Sequence, residues 1–448
     1  MDTAMMTAVE AAEAIRAGGI TSEELVTACL DRIDAREEQV GAWTYLDRDY
    51  ALKQARDADA AVRAGDTPGP LNGIPVGIKD IFDTSDMPTE NGTILDAGRQ
   101  PEHDATAVAL LRQAGAVILG KTVTTEFAYF APGKTRNPLD PRRTPGGSSS
   151  GSAAAVAAGM VPLAMGSQTN GSVIRPASFC GVYGYKPTVG RISRHGAVPL
   201  SRTLDHVGVF ARTIEDAALM AEQMMVFDDR DPGMERRGRP LLVDTIGRAP
   251  ARRPRFAFVR TPVWDRADSD TQAAFTELAG GLGEHISDVP LPDVFDDAVE
   301  AQSFIMSTEM ATGFDDHYRH HRDSLSPQLV EMIERGRAVR AVDYNRALLL
   351  IPRLNEALSE AFASYDAILS PATTGEAPVG LASTGDPIFC TIWTLCGTPA
   401  ISLPLLTGRE GMPLGVQLVA PRGADARLLQ AARWLADRIG TRPLQTDT

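Results

Sequence analysis

The sequence contains few of the residues that mark secreted or disulfide-stabilised proteins. Only four cysteines occur in 448 residues, and no two of them form a Cys-x-x-Cys pair. So few cysteines at such spacings favour free thiols in a reducing compartment over a disulfide framework. The four are Cys29, Cys180, Cys390 and Cys396.

Long apolar segments are also missing. The longest, residues 153–165, contains Pro162 and is shorter than the roughly 20 residues that a membrane-spanning helix needs. The first 19 residues lack the basic segment followed by an apolar one that is typical of a signal peptide. We therefore expect a cytoplasmic protein with no membrane partner.

Basic charge is in deficit. The chain has 44 lysines and arginines against 58 aspartates and glutamates, for a net charge of −14. A negative chain is repelled by phosphate backbones, so we expect no nucleic-acid partner.

Helical and extended patterns alternate along most of the chain. The segment 74–81 is apolar apart from Lys79 and Asp80 and predicts a buried strand. Length alone would allow roughly two to four domains, but helix followed by strand recurs and indicates a layered α/β fold. We predict helices after a cap at 21–24, at 51–64, from an N-cap at Asp104 to 115, and at 271–282, 344–363 and 425–439. Further strands are predicted at 116–119, 255–259, 367–369, 400–403 and 416–419, with 228–255 crossing the surface.

Two segments rich in glycine and serine stand out, residues 144–152 (TPGGSSSGS) and 166–172 (GSQTNGS). Glycines allow the backbone to approach a ligand closely, and the accompanying N–H and hydroxyl groups can point at it. This is what acyl transfer requires. A flexible linker is the alternative, although linkers are not usually followed at once by a compact apolar segment such as 153–165.

The same residues argue against other kinds of site. A phosphate-binding P-loop requires a lysine after Gly151, and none is present. Residues 147–151 satisfy the Gly-x-Ser-x-Gly nucleophile elbow with Ser149 at the centre, but no spacing singles out the histidine which that class needs. The segment 315–321 (DDHYRHH) lacks an HExxH pattern and is typical of a solvated helix face. We therefore expect no metal and no cofactor.

Lys79 is the unusual residue of the predicted strand. A lysine buried on both faces of a sheet pays a large desolvation penalty as a cation, so its pKa should fall and a neutral amine, a base, becomes accessible. A lysine that pairs with Asp80 or extends to solvent is the structural alternative.

The chain resembles the amidase signature hydrolases. Their lysine segment corresponds to residues 73–80 (GIPVGIKD), their glycine-serine loop to 146–152 and their nucleophile segment to 166–172. The spacings agree as well, with 69 residues from Lys79 to Ser148 and 24 from Ser148 to Ser172. The resemblance is dense over about 71–208, is present at both ends and is thin between about 228 and 365.

The resemblance implies a role for each of these residues. Ser172 would be the nucleophile that forms an acyl-enzyme, Ser148, on a cis peptide bond, the proton relay, and Lys79 the base. Ser149 would support the lysine by a hydrogen bond. The oxyanion hole would consist of the backbone N–H groups of Thr169, Asn170, Gly171 and Ser172.

The chain departs from the family pattern at three positions. The family commonly has Asp where Gln168 stands, a small residue where Asn170 stands, and Arg two residues after the nucleophile instead of three, as at Arg175. These departures bear on the local charge and on how the oxyanion loop is braced.

The resemblance also implies a fold and a substrate class. We expect α/β architecture with a single large mixed β-sheet between layers of α-helices, in one domain over 1–448 with a signature core at about 71–208 and a variable substrate-side region at about 228–390. The substrate would be a small or medium uncharged amide. A glutaminase-type subunit of an amidotransferase and a non-catalytic binding protein on the same fold stay open, as does the oligomeric state, with a homodimer as one option. Because aromatic side chains commonly line small-molecule sites, the candidate pocket residues are Phe127, Tyr129, Phe389 and Trp393.

Overall fold

The structure, a computed structural model, describes residues 2–65 and 67–440. Within these residues eleven strands form one mixed sheet in the order β1-β3-β2-β4-β6-β5-β10-β11-β9-β7-β8. The strands are β1 Trp43–Leu46, β2 Pro75–Lys79, β3 Val117–Thr122, β4 Leu163–Gln168, β5 Tyr183–Lys186, β6 His206–Ala211, β7 Phe256–Phe258, β8 Ile286–Asp288, β9 Ala367–Pro371, β10 Ala400–Thr407 and β11 Pro413–Val419.

Helices connect the strands and cover the sheet. They are α1 Ala8–Arg16, α2 Ser22–Val40, α3 Arg48–Arg63, α4 Thr106–Gln113, α5 Ser150–Ala157, α6 Ile174–Cys180, α7 Ile214–Met224, α8 Leu242–Ile246, α9 Ser269–Leu282, α10 Ala298–Gly313, α11 Asp315–His321, α12 Pro327–Ala338, α13 Ala341–Phe362, α14 Ile388–Leu395 and α15 Asp425–Ile439. No helix among the described residues is both long and apolar enough to cross a membrane.

Alternate residues of the strands contribute to two separate apolar cores. Ile118 packs into the larger core, whereas its neighbours Val117 and Leu119 pack into the smaller one, which also contains the alanines of α5. Successive side chains of a strand point to opposite faces, so both faces of the sheet are covered. The predicted α/β class, with one large mixed sheet between helical layers, is confirmed.

Strand β2 positions the chemistry. It pairs in parallel with β3 on one side and with β4 on the other, and all five of its residues are buried. Parallel strands end at the same edge of a sheet. Lys79, the last residue of β2, therefore lies near Ser167 and Gln168, the last residues of β4.

Most predicted elements are present with shifted ends. The helix at 425–439 has the predicted limits, and Thr21 caps α2 in a capping box with Glu24. The N-cap predicted at Asp104 is wrong. Ala105 holds that position, because the Asp104 carboxylate accepts instead from Ser85 and from Arg112 of α4.

The variable region contains α10 and α12, two helices that the sequence patterns had not predicted, and also α11, at the segment for which the sequence predicts a solvated helix face. Between residues 298 and 338 the structure has α10, α11 and α12, and α10 packs against α12, α13 and α14. The segment 315–321 forms α11, in which Asp315 pairs with Arg319 and with Arg337 of α12. In the described part of the chain no three His, Cys, Asp or Glu residues are grouped so as to hold a metal ion.

Candidate active site

Lys79 is fully buried and contacts two serine hydroxyls. Its Nζ lies 2.7 Å from Ser148 Oγ and 2.8 Å from Ser167 Oγ. Burial lowers the pKa of the Lys79 ammonium well below its ordinary value, and the Asp205 carboxylate opposes this shift more weakly. The surroundings therefore shift the protonation equilibrium of Lys79 toward the neutral amine that the sequence predicted.

Ser148 lies in the loop before α5. The Gly147–Ser148 peptide bond is cis, as the resemblance implied, and the Ser148 carbonyl accepts from the Thr125 N–H at 3.2 Å. The preceding Gly146 has a φ of +82°, and a Cβ there would lie 2.7 Å from the Pro176 Cα. Glycine is required at that position because both the backbone conformation and the space exclude a side chain.

Ser149 does not contact the lysine. Its Oγ lies 3.2 Å from both the backbone N and the backbone O of Ser167, and its side chain is fully buried. The supporting hydrogen bond that we expected from Ser149 comes from Ser167 instead, because Ser149 joins the serine loop to β4 through the backbone and leaves the side-chain position beside Lys79 to Ser167.

Ser172 lies between β4 and α6 and is 9% exposed. It lines the same narrow cavity as Ser148, together with Thr169, Asn170 and Gly171. Its hydroxyl forms no hydrogen bond with any group in residues 2–65 or 67–440. The nucleophile proposed from the sequence therefore faces the cavity with its Oγ free for a ligand.

The loop before Ser172 is held by its carbonyl groups. The Asn170 carbonyl accepts from Thr394 Oγ1 of α14 at 2.5 Å, and the Gly171 carbonyl accepts from the Arg175 N–H at 2.9 Å. In a trans peptide the N–H points opposite to the C=O, so the N–H groups of Gly171 and Ser172 face away from these partners. The four N–H groups from Thr169 to Ser172 have no acceptor among the described residues. Such donors suit a developing oxyanion.

Gln168, at the position where the resemblance leads us to expect an aspartate, braces the loop through its side-chain amide. Its Oε1 accepts from the N–H groups of Val173 and Ile174 at 2.9 and 3.0 Å, and its Nε2 donates to Thr394 Oγ1 at 2.9 Å. One amide thus joins the end of β4 to the start of α6 and to α14. A carboxylate could accept the same two N–H groups but could not donate to Thr394.

Asp205 joins the oxyanion loop to the loop before β6. One carboxylate oxygen accepts from Thr169 Oγ1 at 2.6 Å, and the other accepts from the N–H groups of Leu200 and Ser201. Burial nevertheless raises the pKa of Asp205 to about 6. Asp205 is thus the negative charge that acts on Lys79.

Of the four aromatic residues predicted to line the pocket, one lies in the cavity wall and three are packed in the protein interior. Tyr129 lines the narrow cavity that contains Ser148 and Ser172, which we call the catalytic cavity. Its wall also includes Ala128, Phe130, Met306 and Thr384. Phe127, Phe389 and Trp393 do not line it. Phe127 packs against Phe314 and His317, with ring centroids 5.0 Å apart in each pair, and the two residues of α14 are buried. Phe130 and Met306 had no signal in the sequence, because they enter the wall only through the tertiary fold.

A larger cavity of about 560 Å³ lies beside the site. It shares Ser167 and Thr169 with the catalytic neighbourhood, but none of Lys79, Ser148 and Ser172 lines it. The smaller cavity is therefore the candidate active site, because both serines and the free N–H donors line it.

Comparisons with known proteins show which proteins this chain is similar to. The model of the Amidase family matches residues 24–429. The A subunit of the glutamyl-tRNA(Gln) amidotransferase of Acidothermus cellulolyticus is 36% identical, with 95% of this chain and 93% of that protein covered. The peptide amidase of Stenotrophomonas maltophilia has a similar structure, with a TM-score of 0.86, 29% identity and 99% of each chain covered. A chain from a vestigial protein complex that reveals the origins of an s-triazine catabolic enzyme has a TM-score of 0.92 at 30% identity, with 98% of this chain and 100% of that chain covered.

Proposed function

This chain belongs to the amidase family, and from that premise we propose that it hydrolyses a carbon–nitrogen amide bond in a small or medium amide through an acyl-enzyme on Ser172. The observation that carries the proposal is the 2.7 Å contact between Lys79 and Ser148, because it joins a desolvated base to a serine that shares a cavity with Ser172. A nucleophile, a relay and a base in sequence form an activated-nucleophile chain.

In the proposed reaction a proton passes from Ser172 through Ser148 to Lys79, and later returns from Lys79 through Ser148 to the leaving group. Ser172 Oγ attacks the amide carbonyl and gives its proton to Ser148, whose own proton passes to Lys79. The carbonyl oxygen becomes an oxyanion and is held by the free N–H groups of residues 169–172. The ammonium of Lys79, through Ser148, then protonates the leaving nitrogen, and water hydrolyses the acyl-enzyme by the same path.

A glutaminase-type subunit is the second candidate. It is favoured by the relatives that are named as the A subunit of glutamyl-tRNA(Gln) amidotransferase, one of them at 36% identity over nearly the whole chain. Such a protein would release ammonia from glutamine for use by a partner. Glutamine turnover that rises when a co-purifying protein is added would favour this candidate, whereas turnover of simple amides by the isolated chain favours the amidase.

Labelling tests the acyl-enzyme directly. A fluorophosphonate probe should modify Ser172, and intact mass after rapid quenching should show an acyl adduct on the same residue during amide turnover. A panel of primary amides, anilides and carbamates then defines the substrate. A chain that takes no label and turns over no member of the panel would instead be a binding protein on an amidase fold.

A further inference from the structure

Arg175 forms part of the wall of the catalytic cavity. It lies three residues after the nucleophile, on α6, and is 2% exposed. Its guanidinium donates to the carbonyl oxygens of Gly147, at 2.7 Å, and of Gly385. It also lies over the Phe130 ring, 5.4 Å from the ring centroid. The side chain is thus held in one orientation beside the two serines.

The charge of Arg175 has no counterion in the protein. Among the described residues no carboxylate lies within ion-pair distance of it, and the Asp386 carboxylate, whose charge does act on it, pairs with Arg266 at 2.7 Å. Lys121, another fully buried cation, has Asp80 at 3.0 Å. Burial lowers the pKa of Arg175 to about 10, so it stays a cation at neutral pH.

The hydrogen bonds of Arg175 are also incomplete. A guanidinium has five N–H groups, and only two of these donate to an acceptor in the described structure; the Nε–H is buried without a partner. A buried charge without a counterion is unfavourable, and planar guanidinium groups are suited to bind carboxylates with two parallel hydrogen bonds. A cation of this kind in a catalytic cavity indicates that a ligand supplies the anion.

We propose that the amide substrate carries a carboxylate and that Arg175 binds it, orienting the scissile carbonyl toward Ser172. The inference rests on the proposed amide hydrolysis and replaces the uncharged amide that we expected from the sequence. Arg175 is then a residue that determines specificity, while the base and the relay are still Lys79 and Ser148.

Arg212 provides a matched control. It is a partly buried arginine that donates only to backbone carbonyls, those of Val161, Ala4 and Met6, and its Nε also lacks a partner. It does not line the catalytic cavity. Arg212→Gln therefore removes a comparable structural brace without touching the proposed carboxylate site.

The test compares substrates that differ only in the anion. Succinamate and 4-oxopentanamide have one amide each and place a carboxylate or a methyl ketone in the acyl part, while N-acetylglycine and acetamidoacetone place them in the amine part. The wild type should prefer the carboxylate in at least one pair by about 10-fold or more in kcat/KM, as expected for a charged hydrogen bond. Arg175→Gln should bring that ratio close to one, Arg175→Lys should retain part of it, and Arg212→Gln should leave it as in the wild type.

Protection of Ser172 from fluorophosphonate labelling tests the same preference for a carboxylate without requiring turnover. Succinamate or N-acetylglycine should slow fluorophosphonate labelling of Ser172 more than the ketone partner does, and Arg175→Gln should remove the difference. The proposal is overturned if neither assay shows a preference of the wild type for the carboxylate in either substrate pair. It is also overturned if Arg175→Gln keeps the wild-type ratio of kcat/KM values. Failure of the amidase proposal itself would give a different result from these two outcomes, because Ser172 would then take no label.

Discussion

Lys79 Nζ lies 2.8 Å from Ser167 Oγ, so the second hydroxyl beside the candidate base comes from strand β4 and not from the serine loop. A neutral amine has two N–H groups and one lone pair. If one N–H donates to Ser167, the lone pair can face Ser148, whose proton it is to receive. Ser167 thus orients the lysine for transfer without contacting the substrate itself.

Ser167→Ala should lower kcat with little change in KM, because Ser167 does not line the catalytic cavity. Loss of one buried hydrogen bond of about 1 to 3 kcal/mol corresponds to a fall in kcat of roughly 5- to 150-fold. Steady-state kinetics on one amide measures it. Ser149→Ala is the matched control, because it removes a buried hydroxyl one residue after the relay. It should lower kcat by a smaller factor. A larger loss in Ser149→Ala would restore the supporting role first expected of that residue.

Ser172→Ala should abolish turnover, since it removes the atom that forms the acyl bond. Ser148→Ala should leave a reduced rate, with water partly replacing the relay. Losses of roughly 10² to 10⁶ in kcat are the scale for such groups. Turnover assays measure these losses, and thermal melts confirm that the variants fold. Wild-type activity in Ser172→Ala would refute the assignment of Ser172 as the nucleophile.

The pH dependence of kcat/KM should report the lysine. If neutral Lys79 is the base, kcat/KM rises with pH through an apparent pKa well below that of a free lysine, because burial penalises the cation. Asp205→Asn removes the charge that raises the pKa of Lys79, so the rise should move to lower pH. A pH–rate profile of each protein gives the comparison, and a rate that is flat from acid to neutral pH in the wild type would exclude Lys79 as the base.

Lys79 should also make the fold less stable as pH falls. Its pKa is lowered in the folded state, so between the lowered value and the ordinary one the unfolded chain binds a proton that the folded chain does not. In Lys79→Met this contribution is absent. The free energy of unfolding of the variant relative to the wild type should therefore increase as pH falls within that window, by about 1.4 kcal/mol per pH unit. Urea unfolding at pH 9 and pH 7 measures the difference, and a difference that does not change with pH would contradict it.

A matched amide and ester separate the two roles of Lys79. An amine leaves only when it is protonated, whereas the alkoxide or phenoxide of an ester needs less help. Lys79→Ala should therefore slow amide hydrolysis more than ester hydrolysis of the same acyl group, by an extra factor of roughly 10, about 1.4 kcal/mol.

The comparison of amide and ester requires that acylation limits both reactions, which pre-steady-state bursts can verify. Equal losses for the two substrates would leave Lys79 as a base alone. The proton for the leaving group would then have to come from another residue, with Ser148 the first to test.

The sequence by itself determined the layered α/β class and the candidates Lys79, Ser148 and Ser172. Alternating helical and extended segments predict the layers, and a lysine within an apolar segment marks Lys79, whereas the resemblance to the amidase signature hydrolases singles out Ser148 and Ser172 within the two glycine-serine segments. The helix Asp425–Ile439 was predicted with its limits because its apolar positions recur regularly. Cap positions such as Ala105 were missed, since a side chain that could cap a helix was engaged elsewhere.

The tertiary structure alone decided which groups surround the three candidates. Ser167 reaches Lys79 because β2 and β4 are parallel neighbours that end at one edge, a pairing between residues 88 positions apart. Thr394 and Met306 come from helices far along the chain, in or near the region where the resemblance is thin. Whether Arg175 has a counterion depends on every residue packed around it, and no local pattern encodes that. Contacts between distant segments fix the charge and shape of the cavity, and these set the substrate.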